Sequence, residues 1–242
     1  MNPHLRNMLF GLNDAHVIVE PVSGQLMHPE ALTAFDQLRR DAQEAGFSPT
    51  VVSGFRDFER QRAIWNAKAQ GLRPLLDSDG CALDVAQLSP EEIAFAILRW
   101  SALPGGSRHH WGTDFDVIDA AAVPEDYRVQ LTPDEVCDAG VFGPFHCWLD
   151  ECIASGNSYG LFRPYAEDRG GVAPERWHLS YAPRAKEFQQ LLSAEVLREQ
   201  LELCQLDGEL ALADTICAQM DTIYPRFVLV PEAAYPSNIS RL

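Results

Sequence analysis

Apolar and polar positions recur along the chain with two different periods, and the changes of period mark out its elements. Leu32, Phe35, Leu38 and Ala42 fall at helical spacing, with Pro29 at the first position and Gly46 as the stop, so residues 29 to 46 read as a helix. SPTVVSGF, which follows, reads as a short strand that runs into Gly54, Phe55 and Arg56. Asp57 then caps a second helix carrying Arg60, Gln61, Ile64 and Trp65, which places Arg56 at a strand-to-helix junction. SPEE at 89 to 92 is a capping box with proline at the first helical position, and predicts a helix to about Trp100, where Pro-Gly-Gly stops it. TPDE at 132 to 135 repeats that signature, and a further helix is expected over Pro144 to Ala154.

Two short stretches, FDVID at 115 to 119 and WHLSYAP at 177 to 183, look like buried strands bounded by turn residues. Both carry metal-ligand residue types, so both are expected in one sheet. Residues 184 to 222 mix apolar and charged positions as a pair of amphipathic helices would, broken only near Asp207 and Gly208. PRFVLVP near the end is read as an edge strand and YPSNISRL as a terminal arm.

Composition narrows the class. The 242 residues are 46% hydrophobic and 22% charged, which is enough for one full core with an appendage. Asp plus Glu number 35 against 19 Lys plus Arg, a formal charge of -16 whose field repels phosphate backbones, so nucleic acid is not an expected partner. The N-terminus lacks the charged start, apolar run and small-residue cleavage site of a secretory signal, and no apolar run approaches ~20 residues. The expectation is therefore a cytoplasmic protein with no membrane span, a periplasmic one being the alternative. Six cysteines form no CxxC pair and are expected to be reduced, buried thiols, none of them a zinc ligand. Oligomeric state is not legible.

The chemistry concentrates in SRHHWGTDFD at 107 to 116, where two histidines and two aspartates follow a Gly-Gly turn. Such groups need partners if buried. Histidine nitrogen and carboxylate oxygen are zinc ligands, and three of them with a fourth position left for water make the catalytic arrangement. ERWH at 175 to 178 offers the third ligand. On an extended strand Glu175 and His178 would point to opposite faces, so Glu175 must lie on the loop before the strand to turn back towards a metal.

The pattern SxHxxGxxxD (Ser107, His109, Gly112, Asp116) followed by ExxH (Glu175, His178) resembles the VanY-type D-alanyl-D-alanine carboxypeptidases, whose relatives include VanX dipeptidases and phage endolysins. SGFRDFERQ at 53 to 61 resembles that family's SGYR…Q segment, in the expected order. The likeness spans about residues 28 to 183. It implies an α+β fold, a small antiparallel sheet with flanking helices (D-Ala-D-Ala peptidase or Hedgehog-like), with residues 1–183 as the zinc peptidase domain and 184–242 as a helical extension packed on it. It further implies His109, Asp116 and His178 as zinc ligands, Glu175 as general base, Arg56 as the group that stabilises the transition state, and Ser107 and Gln61 as lining the substrate site. The expected reaction is cleavage of D-Ala-terminated, peptidoglycan-type peptides by a zinc-activated water. The alternatives are a lysin-type endopeptidase and a metal-binding module without activity. Asp114 stands where the family often has alanine.

Several residues carry a plainer reading beside the functional one. Asp114 is either a partner that orients a histidine or a solvated loop carboxylate, and the chain does not separate the two. Glu175 could pair with Arg176 or Arg184, and Arg56 could hold its junction by bonding carbonyls. His110 is expected to be structural or to support a ligand, Asp119 to cap a strand end, Trp111 and Trp177 to pack, and His4, His16, His28 and His146 to be structural or exposed. Because the overall field is acidic, a terminal carboxylate needs a local cation, for which Arg108 and Arg163 are the candidates.

Overall fold

The alternating stretch at 115 to 119 begins one residue earlier than expected and forms the central strand of an antiparallel sheet in this computed structural model, which describes residues 1–206 and 210–237. Four strands, β1 (Pro49–Ser53), β2 (Asp114–Asp119), β3 (Leu161–Phe162) and β4 (His178–Tyr181), lie in the order β1-β2-β4-β3. The register pairs Asp116 with His178 on one side and with Ser53 on the other, so these three residues form one row across the sheet. A register shift between Val51 and Ser53 bends β1 just before the Arg56 junction.

Strand alternation divides the sheet into a core face and a site face. Val51, Phe115, Val117 and Leu179 point to one side and pack with Phe35 and Leu38 of the helix Pro29–Glu44 and with Phe145 and Leu149 of the helix Gly143–Ala154. Phe35 meets Phe115 edge to face at 5.0 Å. Fully burying each such side chain contributes about 1.5–3 kcal/mol, which makes the register costly to slip. Asp114, Asp116, His178 and Ser180 occupy the opposite face, all buried. One strand thus supplies the core and the chemistry.

The expected helices form where their caps place them. Asp57 Oδ1 accepts from Arg60 N at the start of the helix Phe58–Ala69, and Ser89 and Glu92 make a reciprocal capping box before Pro90–Trp100. The box at Thr132 caps only a four-residue turn, Pro133–Val136. Asp119 Oδ1 accepts from Ser48 N and Ala121 N at the end of β2, as a capping residue does.

Beyond β4 the chain is more broken than a pair of helices. It runs through Ala182–Leu191, Ala194–Leu206, Ala213–Ala218 and Met220–Ile223. Leu197, Leu201, Ile216, Met220 and Ile223 join Phe58, Trp65, Ile97 and Trp111 in one apolar cluster, so the extension shares a core with the helices that flank Arg56. The expected break at Asp207 and Gly208 and most of the YPSNISRL arm lie outside the described residues. PRFVLVP does not form an edge strand: Tyr224–Val228 is a single π-helical turn that buries the adjacent Phe227 and Val228 together, with Leu229 exposed and Val230 buried after it. No disulfide forms among the described cysteines, but the expectation that the thiols are buried fails for most of them. Only Cys204 is buried, whereas Cys81 and Cys137 are exposed. No described helix is long and apolar enough to cross a membrane.

Candidate metal centre and its cleft

His109, Asp116 and His178 converge on the site face, with one possible ligand atom from each lying within 4.8 Å of the others. Asp116 and His178 arrive from paired strands, and His109 from the turn Arg108–Trp111, which Gly112 closes in a left-handed conformation (φ 68°). A side chain at Gly112 would also collide with Val17 and with the backbone of His28, so glycine is required there twice over.

Hydrogen bonds on the far side of each ring decide which nitrogen is offered. His109 Nδ1 donates to Gly54 O at 2.8 Å, leaving Nε2 towards Asp116 Oδ2 at 3.7 Å. His178 Nε2 donates to Asp114 Oδ1 at 3.1 Å, leaving Nδ1 3.3 Å from Asp116 Oδ1 and 3.4 Å from Glu175 Oε2. This is the backing that metal-binding histidines receive. Asp116 Oδ1 is buried without a hydrogen-bond partner.

The electrostatics ask for a cation between these groups. Burial alone would lower His178, yet the adjacent Asp114 and Asp116 carboxylates raise it to about 10. Burial pushes His109 down to about 3 despite the pull of Asp116. A divalent ion among two imidazoles and one carboxylate satisfies the orphaned oxygen and both inward lone pairs. Donors about 2.1 Å from a tetrahedral zinc lie about 3.4 Å apart, close to the 3.7 and 3.3 Å that separate the two imidazole nitrogens from the Asp116 carboxylate oxygens. The donor set therefore fits zinc, and suits magnesium poorly.

Glu175 precedes β4 in a turn closed by His178 N donating to Glu175 O, the position that strand parity requires. Burial raises its carboxyl to about 7, with His178 opposing. Neither arginine considered as its surface partner takes it: Arg176 pairs with Asp138 and Asp150, and Arg184 with Glu30 and Glu187.

Arg56 lines the same cleft, a depression of about 290 Å³. Its fork donates to Gln61 Oε1 at 2.8 Å and Ser53 Oγ at 3.1 Å. Gln61 in turn donates to Ala102 O and is wholly buried, outside the cleft lining, so it holds Arg56 and presents no free group to a substrate. His110 accepts from Gly105 N and donates to Arg56 O, which fixes the backbone of the same residue. Ser107 does line the cleft, and its buried hydroxyl has no partner.

Both cations considered for a terminal carboxylate are already committed. Arg108 is 1% exposed and bonded to Asp114 at 2.8 Å, while Arg163 lies apart from this cleft, ion-paired with Asp150. Asp114 is accordingly no solvated carboxylate but a buried link between Arg108 and His178. Sequence reasoning missed Lys68 and Arg73, which line the cleft and are ion-paired to no described residue. Lys68 Nζ donates to Ser101 Oγ at 2.8 Å. A usable sign was present: Gln61, Ile64 and Lys68 follow at i, i+3 and i+7 on one face of the helix that begins beside Arg56. Trp177 and Tyr165 also line the cleft, the latter with its ring 5.1 Å from that of His178.

The chain is similar to several known proteins. An uncharacterized protein of Haemophilus influenzae is 42% identical over 99 residues, 40% of this chain and 68% of its own length. Among solved structures, a variant of the vancomycin-resistance D,D-pentapeptidase VanY in complex with Zn(II) is 24% identical, with 75% of this chain and 88% of that chain covered and a TM-score of 0.46. VanYB in complex with D-alanine-D-alanine is 25% identical, covering 78% and 90%, with a TM-score of 0.47. The model of the VanY family, D-alanyl-D-alanine carboxypeptidase, matches residues 24–184, about two thirds of the chain and a span that includes His109, Asp116 and His178. The chain belongs to the VanY family of D-alanyl-D-alanine carboxypeptidases.

Proposed function

We propose that this protein is a zinc-dependent carboxypeptidase that removes the last residue from D-alanine-terminated, peptidoglycan-type peptides. The observation that carries the reading is the convergence of His109 Nε2, Asp116 and His178 Nδ1 with the Glu175 carboxylate in a cleft that also presents Arg56. His109, Asp116 and His178 would hold the metal. When bound, zinc supplies Lewis acidity that brings the pKa of a water towards ~7 and polarises a carbonyl.

The protein's own groups do the rest. Glu175, raised by burial to about 7, takes the proton of the attacking water and returns it to the amine as the peptide C–N bond breaks. Arg56, with its fork oriented by Gln61 and Ser53, donates to the carbonyl oxygen as negative charge develops there. Ser107 lines the cleft beside these groups, its hydroxyl buried. Lys68, with Arg73 at the rim, is positioned to receive the terminal carboxylate, which supports an exopeptidase within an otherwise acidic molecule.

The reading yields direct tests. Freshly purified protein is expected to contain about one zinc per chain by elemental analysis, and magnesium or no metal would count against the site. Peptides ending in D-Ala-D-Ala are expected to be cut faster than the same peptides ending in L-Ala-L-Ala. Amidating the terminus should slow cleavage, and Lys68→Met should remove most of the difference between free and amidated peptides. Equal rates for the D- and L-forms would remove the carboxypeptidase assignment, and indifference to amidation would point to an endopeptidase. Arg56→Lys, which keeps the charge but loses the planar fork, is expected to lower kcat/KM by ~10-fold or more. A change in thermal stability alone would make Arg56 a structural residue.

A further inference from the structure

The matched family span ends at residue 184, yet residues beyond it hydrogen-bond Arg108 beside the candidate metal site. Gln189, on the helix Ala182–Leu191, uses its side-chain amide in two directions at Val230, donating to its carbonyl at 2.9 Å and accepting from its N–H at 3.0 Å. This fixes the tail in place and brings Tyr235 against Phe162 of β3, with ring centroids 4.8 Å apart. The Tyr235 hydroxyl donates to Gln189 Oε1 at 3.1 Å. Arg108 Nη1 then donates to both, at 3.2 Å to Gln189 Oε1 and 3.2 Å to Tyr235 OH.

The remaining donors of Arg108 face the sheet. Nη2 bonds Ser180 Oγ at 2.8 Å and Nε bonds Asp114 Oδ1 at 2.8 Å, while the guanidinium lies over Trp111 at 4.8 Å. The fork is thus held at every edge, two of its contacts coming from the extension. Asp114 Oδ1 thus takes Arg108 Nε on one side and His178 Nε2 at 3.1 Å on the other, and an acceptor held in this way fixes the orientation of the His178 ring.

We infer that the C-terminal extension is a working part of the metal centre, because Gln189 and Tyr235 position Arg108, Arg108 positions Asp114, and Asp114 aims His178 Nδ1 at the metal. All four are positioning residues, since each acts on the metal through His178. The inference rests on the metal reading given above.

The test uses the full chain and measures zinc affinity by competition with a chromophoric chelator, together with the visible absorption of the cobalt-substituted protein. Tyr235→Phe keeps the ring on Phe162 and removes only the hydroxyl, and Gln189→Met removes both arms of the tail clamp. Zinc affinity is expected to weaken by about threefold in the first and about tenfold in the second, with a changed cobalt spectrum in both. Ile216→Val, in the core of the extension and out of contact with Arg108, should lower the thermal midpoint while leaving affinity and spectrum as they are. Unchanged affinity and spectrum in both polar variants, or an equal loss in Ile216→Val, would overturn the inference and leave the metal reading standing. Failure of the wild-type chain to bind zinc would remove the metal reading and this inference with it.

Discussion

Glu175→Gln is expected to lower turnover by ~100-fold or more while zinc content stays at the wild-type level. That loss corresponds to about 2.7 kcal/mol of transition-state stabilisation. Glutamine has nearly the same shape and can still occupy the turn before β4, but it cannot take a proton from water or return one to an amine. The groups that hold the proposed ligands, Gly54 O behind His109 and Asp114 behind His178, are untouched by the change. Turnover is read from release of the terminal amino acid, and zinc from elemental analysis of the same sample. Near wild-type turnover would remove Glu175 from the role of base. Loss of turnover and zinc together would make it a ligand instead.

The residues that separate these two outcomes differ in how plainly the chain announces them. The seven-residue step from His109 to Asp116 and the three-residue step from Glu175 to His178 are short-range patterns. Strand parity alone was enough to require Glu175 in a turn, where the structure has it. Partnerships formed across the fold were not legible. Arg108 looked like an available cation because nothing local shows that Asp114, six residues on, closes with it in the interior. Gln61 shared a motif with Arg56 and so looked like a cleft residue, but one turn along its helix it points beneath Arg56 and bonds Ala102 O. PRFVLVP has the composition of a strand, yet two prolines bound a run too short for periodicity to tell a strand from a helical turn. With the adjacent Phe227 and Val228 both buried, packing chose the turn. The four-stranded sheet with helices on one face was the more accessible part, since Phe115, Val117 and Leu179 alternate with Asp114, Asp116 and His178.

Asp114→Asn is expected to destabilise the fold by about 3–5 kcal/mol and to weaken zinc binding by about 10- to 100-fold, the second-largest effect anticipated for this site. The variant leaves the Arg108 guanidinium 1% exposed with no counter-charge, which is the costly way to break a buried pair. The pH dependence follows from the same contact. Burial alone would raise the Asp114 carboxyl, but Arg108, followed by His178 and Thr113, holds it far below its ordinary 3.8. A folded-state value depressed in this way contributes stability that is fully present above the unfolded value and lost as pH falls through the folded one. Denaturant unfolding should therefore show the full gap between wild type and Asp114→Asn at neutral pH, and a narrowing gap as pH drops below ~3.8. A second variant separates stability from ligand support. Replacing the pair together, Arg108→Met with Asp114→Leu, removes both buried charges and should recover most of the lost stability. It should not recover zinc affinity, because His178 Nε2 still lacks the acceptor that aims its other nitrogen at the metal. Recovery of both in parallel would show that Asp114 acts on the metal only through the stability of the fold.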